Sequence, residues 1–243
     1  MKHRTTRDLR MFRRRAEILG CEQGIDIAKH FLPDEYDIVK WSGKYFLVGD
    51  ELEKLDSLDL VDAHCRDVIA GVNTALRIVM GGYELRINTL KEFDEDGNQI
   101  NSSAFGTAAI TVDAILVAAP DDDSYSTGKQ LLGQLLNKPV FRKACDFFVK
   151  GDPSALWNVW EIIREDLGPG NDGGFDGAAI DMGWIAPDDL RRFCQSVNSP
   201  EVFGEKARHA RSEGMPSNPM SLSDARRFIK ELLLDWADYL ERI

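Results

Sequence analysis

Between Ser57 and Gly81 the apolar residues fall on a single helical stripe: Val61, Cys65, Val68, Ile69, Val72, Leu76 and Val79. A stripe that recurs at i, i+3, i+4 and i+7 belongs to one face of an α-helix. At 1.5 Å per residue, residues 57–80 make a rod of roughly 36 Å, and Gly81-Gly82 ends it. The period changes on both sides of this rod. Before it, residues 36–41 and 44–48 flank Ser42-Gly43, the pattern of a β-hairpin. After it, Tyr83, Leu85 and Ile87 alternate with Glu84, Arg86 and Asn88, which marks a half-buried strand. A hairpin, a long helix and a further strand within 55 residues call for a small antiparallel sheet crossed by a helix, and so for an α+β fold.

The flanking segments extend this plan. Leu9, Phe12, Ala16 and Leu19 recur at helical spacing and predict a basic helix closed by Gly20. A second helix is expected over 22–31, ending before Pro33. Residues 94–98 read as a turn and 108–118 as another β-like run. The acidic connector 121–126 is the expected domain boundary, and beyond it the periodicity is helical. Pro139 suits a first helical turn, Asp152 caps the helix that carries Leu156, Val159, Trp160 and Ile163, and Asp188 opens another. Ser221 with Asp224 forms a near capping box before a terminal helix with Ala225, Phe228, Ile229, Leu232, Trp236 and Leu240 on its inner stripe. Three segments follow: a basic N-terminal helical segment over 1–33, an α+β domain over 34–120, and a helical bundle over 127–243.

Charge narrows the classes of function. The formal net charge is −11, which argues against general coating of nucleic acid, since phosphate binding needs clustered Lys and Arg. The charge is uneven, however. Residues 1–16 carry seven Lys or Arg and a single acid, a net +6 that leaves −17 on the remainder. On a helix, Arg4, Arg7, Arg10 and Arg14 fall near one face, so Arg7, Arg10, Arg13, Arg14 and Arg15 are candidate contacts to RNA, DNA or another anionic partner. The competing reading docks this arm on the chain's own acidic body. Four widely separated cysteines, Cys21, Cys65, Cys145 and Cys194, lie in apolar patterns and suit a reducing cytoplasm. No apolar run approaches the ~20 residues of a membrane span, and the basic start is not followed by the apolar stretch of a secretory signal.

Chemistry-bearing motifs are few. His3, His30, His64 and His209 show no metal-ligand spacing, and no cofactor motif is present. The Gly-rich stretch 168–177 lacks the strand and helix context of a nucleotide fingerprint, and its Asp172 and Asp176 lack calcium-loop spacing. Ser126-Thr127-Gly128-Lys129 is half a phosphate loop without its upstream glycine. The densest polar cluster is Arg208-His209-Ala210-Arg211, just before the capped terminal helix. Imidazole moves protons near neutral pH and guanidinium holds phosphate bidentately, so Arg208, His209 and Arg211 are the candidate catalytic residues. The structural alternative pairs these arginines with acids such as Glu205 or Asp224.

An Arg/His cluster, a short loop and a final amphipathic helix resemble the layout of the HEPN superfamily of helical-bundle proteins over residues 128–243. The resemblance implies a helical bundle and a setting in bacterial toxin, antiviral or RNA-processing systems. Ribonuclease members of that superfamily carry Arg and His four to six residues apart. Here Arg208 and His209 are adjacent and point about 100° apart on a helix. The resulting expectation is a cytosolic accessory protein that binds a partner macromolecule, a protein or a second copy of itself, in bacterial stress or antiviral response. Nucleic acid is a further candidate partner through residues 1–15. The alternative is a metal-independent endoribonuclease with His209 as acid/base and Arg208 or Arg211 on phosphate.

Overall fold

The changes of period around residues 57–81 mark real boundaries. The computed structural model describes residues 11–96, 98–104, 120–170, 177–208 and 215–243, which fall into two compact units, Met1–Leu136 and Asn137–Ile243. The first unit is α+β and contains β1 (Arg14–Leu19), α1 (Glu22–Phe31), β2 (Tyr36–Trp41), β3 (Lys44–Gly49), a single turn α2 (Asp50–Glu53), α3 (Leu58–Met80), β4 (Arg86–Phe93), β5 (Gln99–Ala104) and most of α4 (Asp122–Asn137). The strands form one sheet in the order β2-β3-β1-β4-β5, with every neighbouring pair antiparallel. β1 and β2 therefore run parallel with β3 between them, and β3 and β4 run parallel with β1 between them. Each crossover carries a helix, so β1 to β4 make a doubled split βαβ, the ferredoxin-like arrangement, and β5 is added at its edge.

Local chemistry accounts for the joints. Ser42 and Gly43 both have positive φ, 50° and 77°, the pair a two-residue hairpin turn requires. The Ser57 side chain caps α3, and Gly81 ends it in the left-handed conformation with its N–H on Arg77 O. Asn73 on α3 then holds the chain entering β4: its amide donates to Leu85 O at 2.8 Å and its carbonyl accepts Leu85 N–H at 2.7 Å. Apart from the main core, Phe12, Val39, Phe46 and Val48 form a separate buried cluster. The strand register puts Val39 and Phe46 opposite one another and beside Glu17.

Three expectations are corrected by this structure. Residues 14–19 are not part of a basic helix; they are the central strand of the sheet. The spacing of Leu9, Phe12, Ala16 and Leu19 mimics a helical stripe, whereas the buried Ala16 and Ile18 alternate with Arg15 and Glu17 at the period of a strand. The acidic connector is also not a boundary. Asp121 Oδ1 accepts the Ser124 N–H at 2.8 Å and its hydroxyl at 2.6 Å, and α4 starts at once. α4 belongs to the first unit rather than to a bundle from residue 127, because its Gly128 sits against Phe31 of α1 and its Leu132 against Gly71 of α3. Finally, strand β4 starts at Arg86 rather than at Tyr83, and β5 is an additional strand. The β-like run at 108–118 lies outside the described residues.

The second unit is helical: α5 (Pro139–Lys150), α6 (Pro153–Leu167), α7 (Gly177–Asp181), α8 (Pro187–Asn198), α9 (Pro200–Phe203), a 3-10 turn (Gly204–Lys206) and α10 (Leu222–Arg242). Asp152 accepts the Ala155 N–H at the start of α6, and Ser221 with Asp224 forms a full capping box at the start of α10. α10 buries Ala225, Ile229, Leu232, Leu233, Trp236, Ala237 and Leu240. Trp236 is fully buried, packs at 5.2 Å from the Phe141 ring, and donates its indole N–H to Asp166 at 2.9 Å.

The α1–α4 contact gives a direct test. A Cβ at Gly128 would stand 2.1 Å from the ring of Phe31, which is fully buried and has nowhere to go. Gly128→Ala should destabilise the first unit by about 1–2 kcal/mol in urea unfolding, an overpacking cost only partly offset by better helix propensity. Gly133→Ala, in the same helix with nothing near its Cβ, should be neutral or slightly stabilising.

Candidate functional site

Arg208 is the described member of the C-terminal cluster; His209 and Arg211 lie outside the described residues. It follows the 3-10 turn, and its backbone N–H is anchored on Val197 O at 2.9 Å. Its guanidinium lies over the Trp157 ring at 4.3 Å and reaches Glu161 at 3.3 Å, both on α6. Trp157 is in turn parallel to Phe193 of α8, 6.5 Å away with 6° between the planes, and Phe193 stacks on Phe228 of α10 at 5.1 Å. The arginine therefore ends a stack drawn from three helices. An acid that it meets is Glu161, while Asp224 serves the Ser221 cap and Arg227 at 2.7 Å.

The N-terminal arginines divide in the same way. Arg7 and Arg10 lie outside the described residues. Arg13 is exposed and 3.5 Å from Glu92. Arg14 and Arg15, expected to contact a partner, are instead buried inside the first unit. Arg14 Nη1 donates to Leu52 O at 2.9 Å, to Glu53 O at 3.4 Å and to Leu55 O, so the guanidinium caps the carbonyl end of α2. Its backbone N–H donates to the Glu53 carboxylate at 2.9 Å. Arg15 donates through Nε to Phe12 O at 2.9 Å and lies 3.7 Å from the centre of the Phe93 ring. Buried guanidinium is tolerated when its charge is met by carbonyls, a carboxylate or an aromatic face: Arg14 has the α2 carbonyls through Nη1 and Glu92 3.5 Å from its Nε, and Arg15 has the Phe12 carbonyl and the Phe93 ring.

Two residues beyond Arg15 along β1 lies a polar centre that sequence reasoning missed. Glu17, with its side chain 4% exposed, accepts from Lys44 at 2.9 Å, Asn88 at 3.1 Å and Thr89 at 3.2 Å, and has Lys91 at 3.6 Å. The β1–β4 register shifts after Glu17, which pairs with Thr89 while Ile18 pairs with Ile87. This bulge lets Asn88 and Thr89 address the same carboxylate. Burial alone would raise the Glu17 pKa, but the hydrogen bonds from Lys44, Asn88 and Thr89 and the Lys44 charge outweigh it and hold the carboxyl below its ordinary range. The signal in the sequence was an acid at a central-strand position, legible only once β1 is known to be a strand.

A second polar contact joins β2 to α3. Tyr36 Oη lies 2.5 Å from His64 Nε2, with the rings 5.8 Å apart. Burial, with the nearby Glu51, Cys65 and Glu35, pushes the Tyr36 phenol up to about 12, so it keeps its proton at neutral pH. Burial likewise pushes the Cys65 thiol up to about 12, which removes it as a nucleophile. Among the described residues no group of three or more His, Cys, Asp or Glu could hold a metal ion, and no helix is long and apolar enough to cross a membrane. Comparison with protein-family models, with curated proteins and with solved structures finds no match.

The Glu17 centre has a pH signature. A depressed carboxyl pKa contributes stability above the ordinary glutamate range, and the contribution is lost as pH falls through the lowered native value. Wild type should therefore lose stability steeply on acidification. Glu17→Gln should be less stable at pH 7 and show a flatter acid limb in thermal melts across pH 2–7.

Proposed function

We propose that the chain is a cytoplasmic binding protein that recognises a partner macromolecule, and that its 208–211 cluster is structural rather than hydrolytic. The observation that carries this reading is the seat of Arg208. Its guanidinium is held face-on by Trp157 and edge-on by Glu161, which matches the arginine to the helices beneath it. An arginine that stabilises a scissile phosphate must instead present its fork to the substrate. All four cysteines are free, in keeping with a reducing compartment. The HEPN-like layout of the C-terminal part would put such a protein in bacterial stress or antiviral response.

The alternative, a metal-independent endoribonuclease using His209 as acid/base with Arg208 or Arg211 on phosphate, is separable by one assay. The purified chain should leave labelled single-stranded RNA uncut in EDTA over hours, and Arg208→Ala should lower the melting temperature. Cleavage that persists in EDTA and disappears in His209→Ala would establish the nuclease instead.

A further inference from the structure

Where the β2–β3 hairpin turns, the face of the sheet that holds Glu17 carries an exposed row. Trp41 pairs with Lys44 in register. Leu19 stands one residue beyond the Ile18–Tyr45 pair and so beside Lys44, and Leu19 pairs with Arg86. Two contacts fix the face: the Trp41 ring lies 6.3 Å from Phe46, and Lys44 reaches down to Glu17. The row thus reads Trp41, Lys44, Leu19, Arg86 across four strands. At about 4.8 Å per strand it spans roughly 14 Å. Trp41 is 52% and Leu19 40% exposed, and the Lys44 side chain 53%.

The charges of the row are arranged for exchange. Glu17 serves both Lys44 and Lys91 and also accepts from Asn88 and Thr89. Glu84 serves both Arg86 at 3.1 Å and Arg77 at 3.8 Å. Among these described contacts two carboxylates are shared among four cations, on a chain of net −11. Lys44 and Arg86 can each turn outward while their carboxylate keeps another cation, so neither move leaves a buried charge unpaired.

We propose that this row binds single-stranded nucleic acid, with an unpaired base stacked on Trp41 and adjacent phosphates on Lys44 and Arg86. An exposed indole flanked by cations at the rim of the sheet is what sequence-tolerant stacking requires. Two apolar side chains separated by a lysine are far short of the roughly 1,600 Å² a stable protein interface buries. Strand addition at the neighbouring β2 edge is also opposed, because Asp37 covers the Ile38 N–H with its own side chain at 2.8 Å. The inference rests on the binding reading above and names the partner class for it.

The test is fluorescence anisotropy of the full chain with labelled oligo-uridine and oligo-deoxythymidine of 15 nucleotides, from 20 to 300 mM salt. Wild type should bind at low salt, and more weakly as salt rises. Trp41→Thr, which keeps strand propensity, should weaken binding about 10-fold or more, as loss of one stacked base does, and Trp41→Phe should restore most of it. Lys44→Gln, which keeps a donor for Glu17, should lower the slope of log affinity against log salt by roughly 0.7. Equal binding by wild type and a folded Trp41→Thr would overturn the row as the site while leaving macromolecular binding intact. Failure of wild type to bind either oligonucleotide would overturn nucleic acid as the partner; a protein partner would remain, and the RNA-cleavage assay decides the binding reading separately.

Discussion

A central strand that carries Arg14, Arg15 and Glu17 into the interior of a unit must satisfy each charge without water, and the first unit is organised around doing so. Arg14 is answered by the carbonyls that end α2, Arg15 by the Phe12 carbonyl and the Phe93 ring, and Glu17 by Lys44, Asn88 and Thr89. Each of these partners is set by the fold. The α2 carbonyls are available because the chain turns directly after β3. Asn88 and Thr89 converge because β4 is bulged opposite Glu17, and Lys44 arrives because the two-residue hairpin turn places it at the start of β3. Arg14 and Arg15 have few partners, so truncating one of them weakens the hold on a desolvated charge. The same arrangement sets the surface: because Glu17 has a surplus of donors, Lys44 at the rim can serve both the fold and a ligand.

The second unit solves a different problem with aromatic rings. Trp157, Phe193 and Phe228 stack from α6, α8 and α10, and Arg208 closes the outer end of the stack beside Glu161. Trp160 and Trp236 fill the buried interior, and Trp236 also satisfies its indole N–H through Asp166. This gives Arg208 a packing role that a polar cluster in a sequence does not reveal, since the rings beneath it come from positions well outside the cluster, Trp157, Phe193 and Phe228.

Legibility followed the local signals. α1, the hairpin, α3 and the capped α10 were readable because their periodicity, turn residues and caps agree. The α+β class followed from those alone. β1 was misread because charged residues occupy interior positions: a strand buried on both faces ordinarily reads as an unbroken apolar run, and Arg-Arg-Ala-Glu reads as solvent-facing. The connector at 121–126 was misread because Asp and Ser are both turn formers and helix caps, and the Gly128–Phe31 contact that settles the matter is invisible in one dimension. The Glu17 centre depends on β1 and was lost with it. Arg208 was singled out by composition, but its partners were not, since they depend on tertiary packing.

If β1 is the keystone of the first unit, its backbone should be among the last to open. Amide hydrogen exchange of the full chain at pH 7 measures this residue by residue. Amides of residues 15–18 should exchange as slowly as the slowest in β3 and α3, through opening of the whole first unit. Exchange of those amides at rates typical of an exposed arm, while α3 remained protected, would contradict the account and return residues 1–16 to a peripheral role.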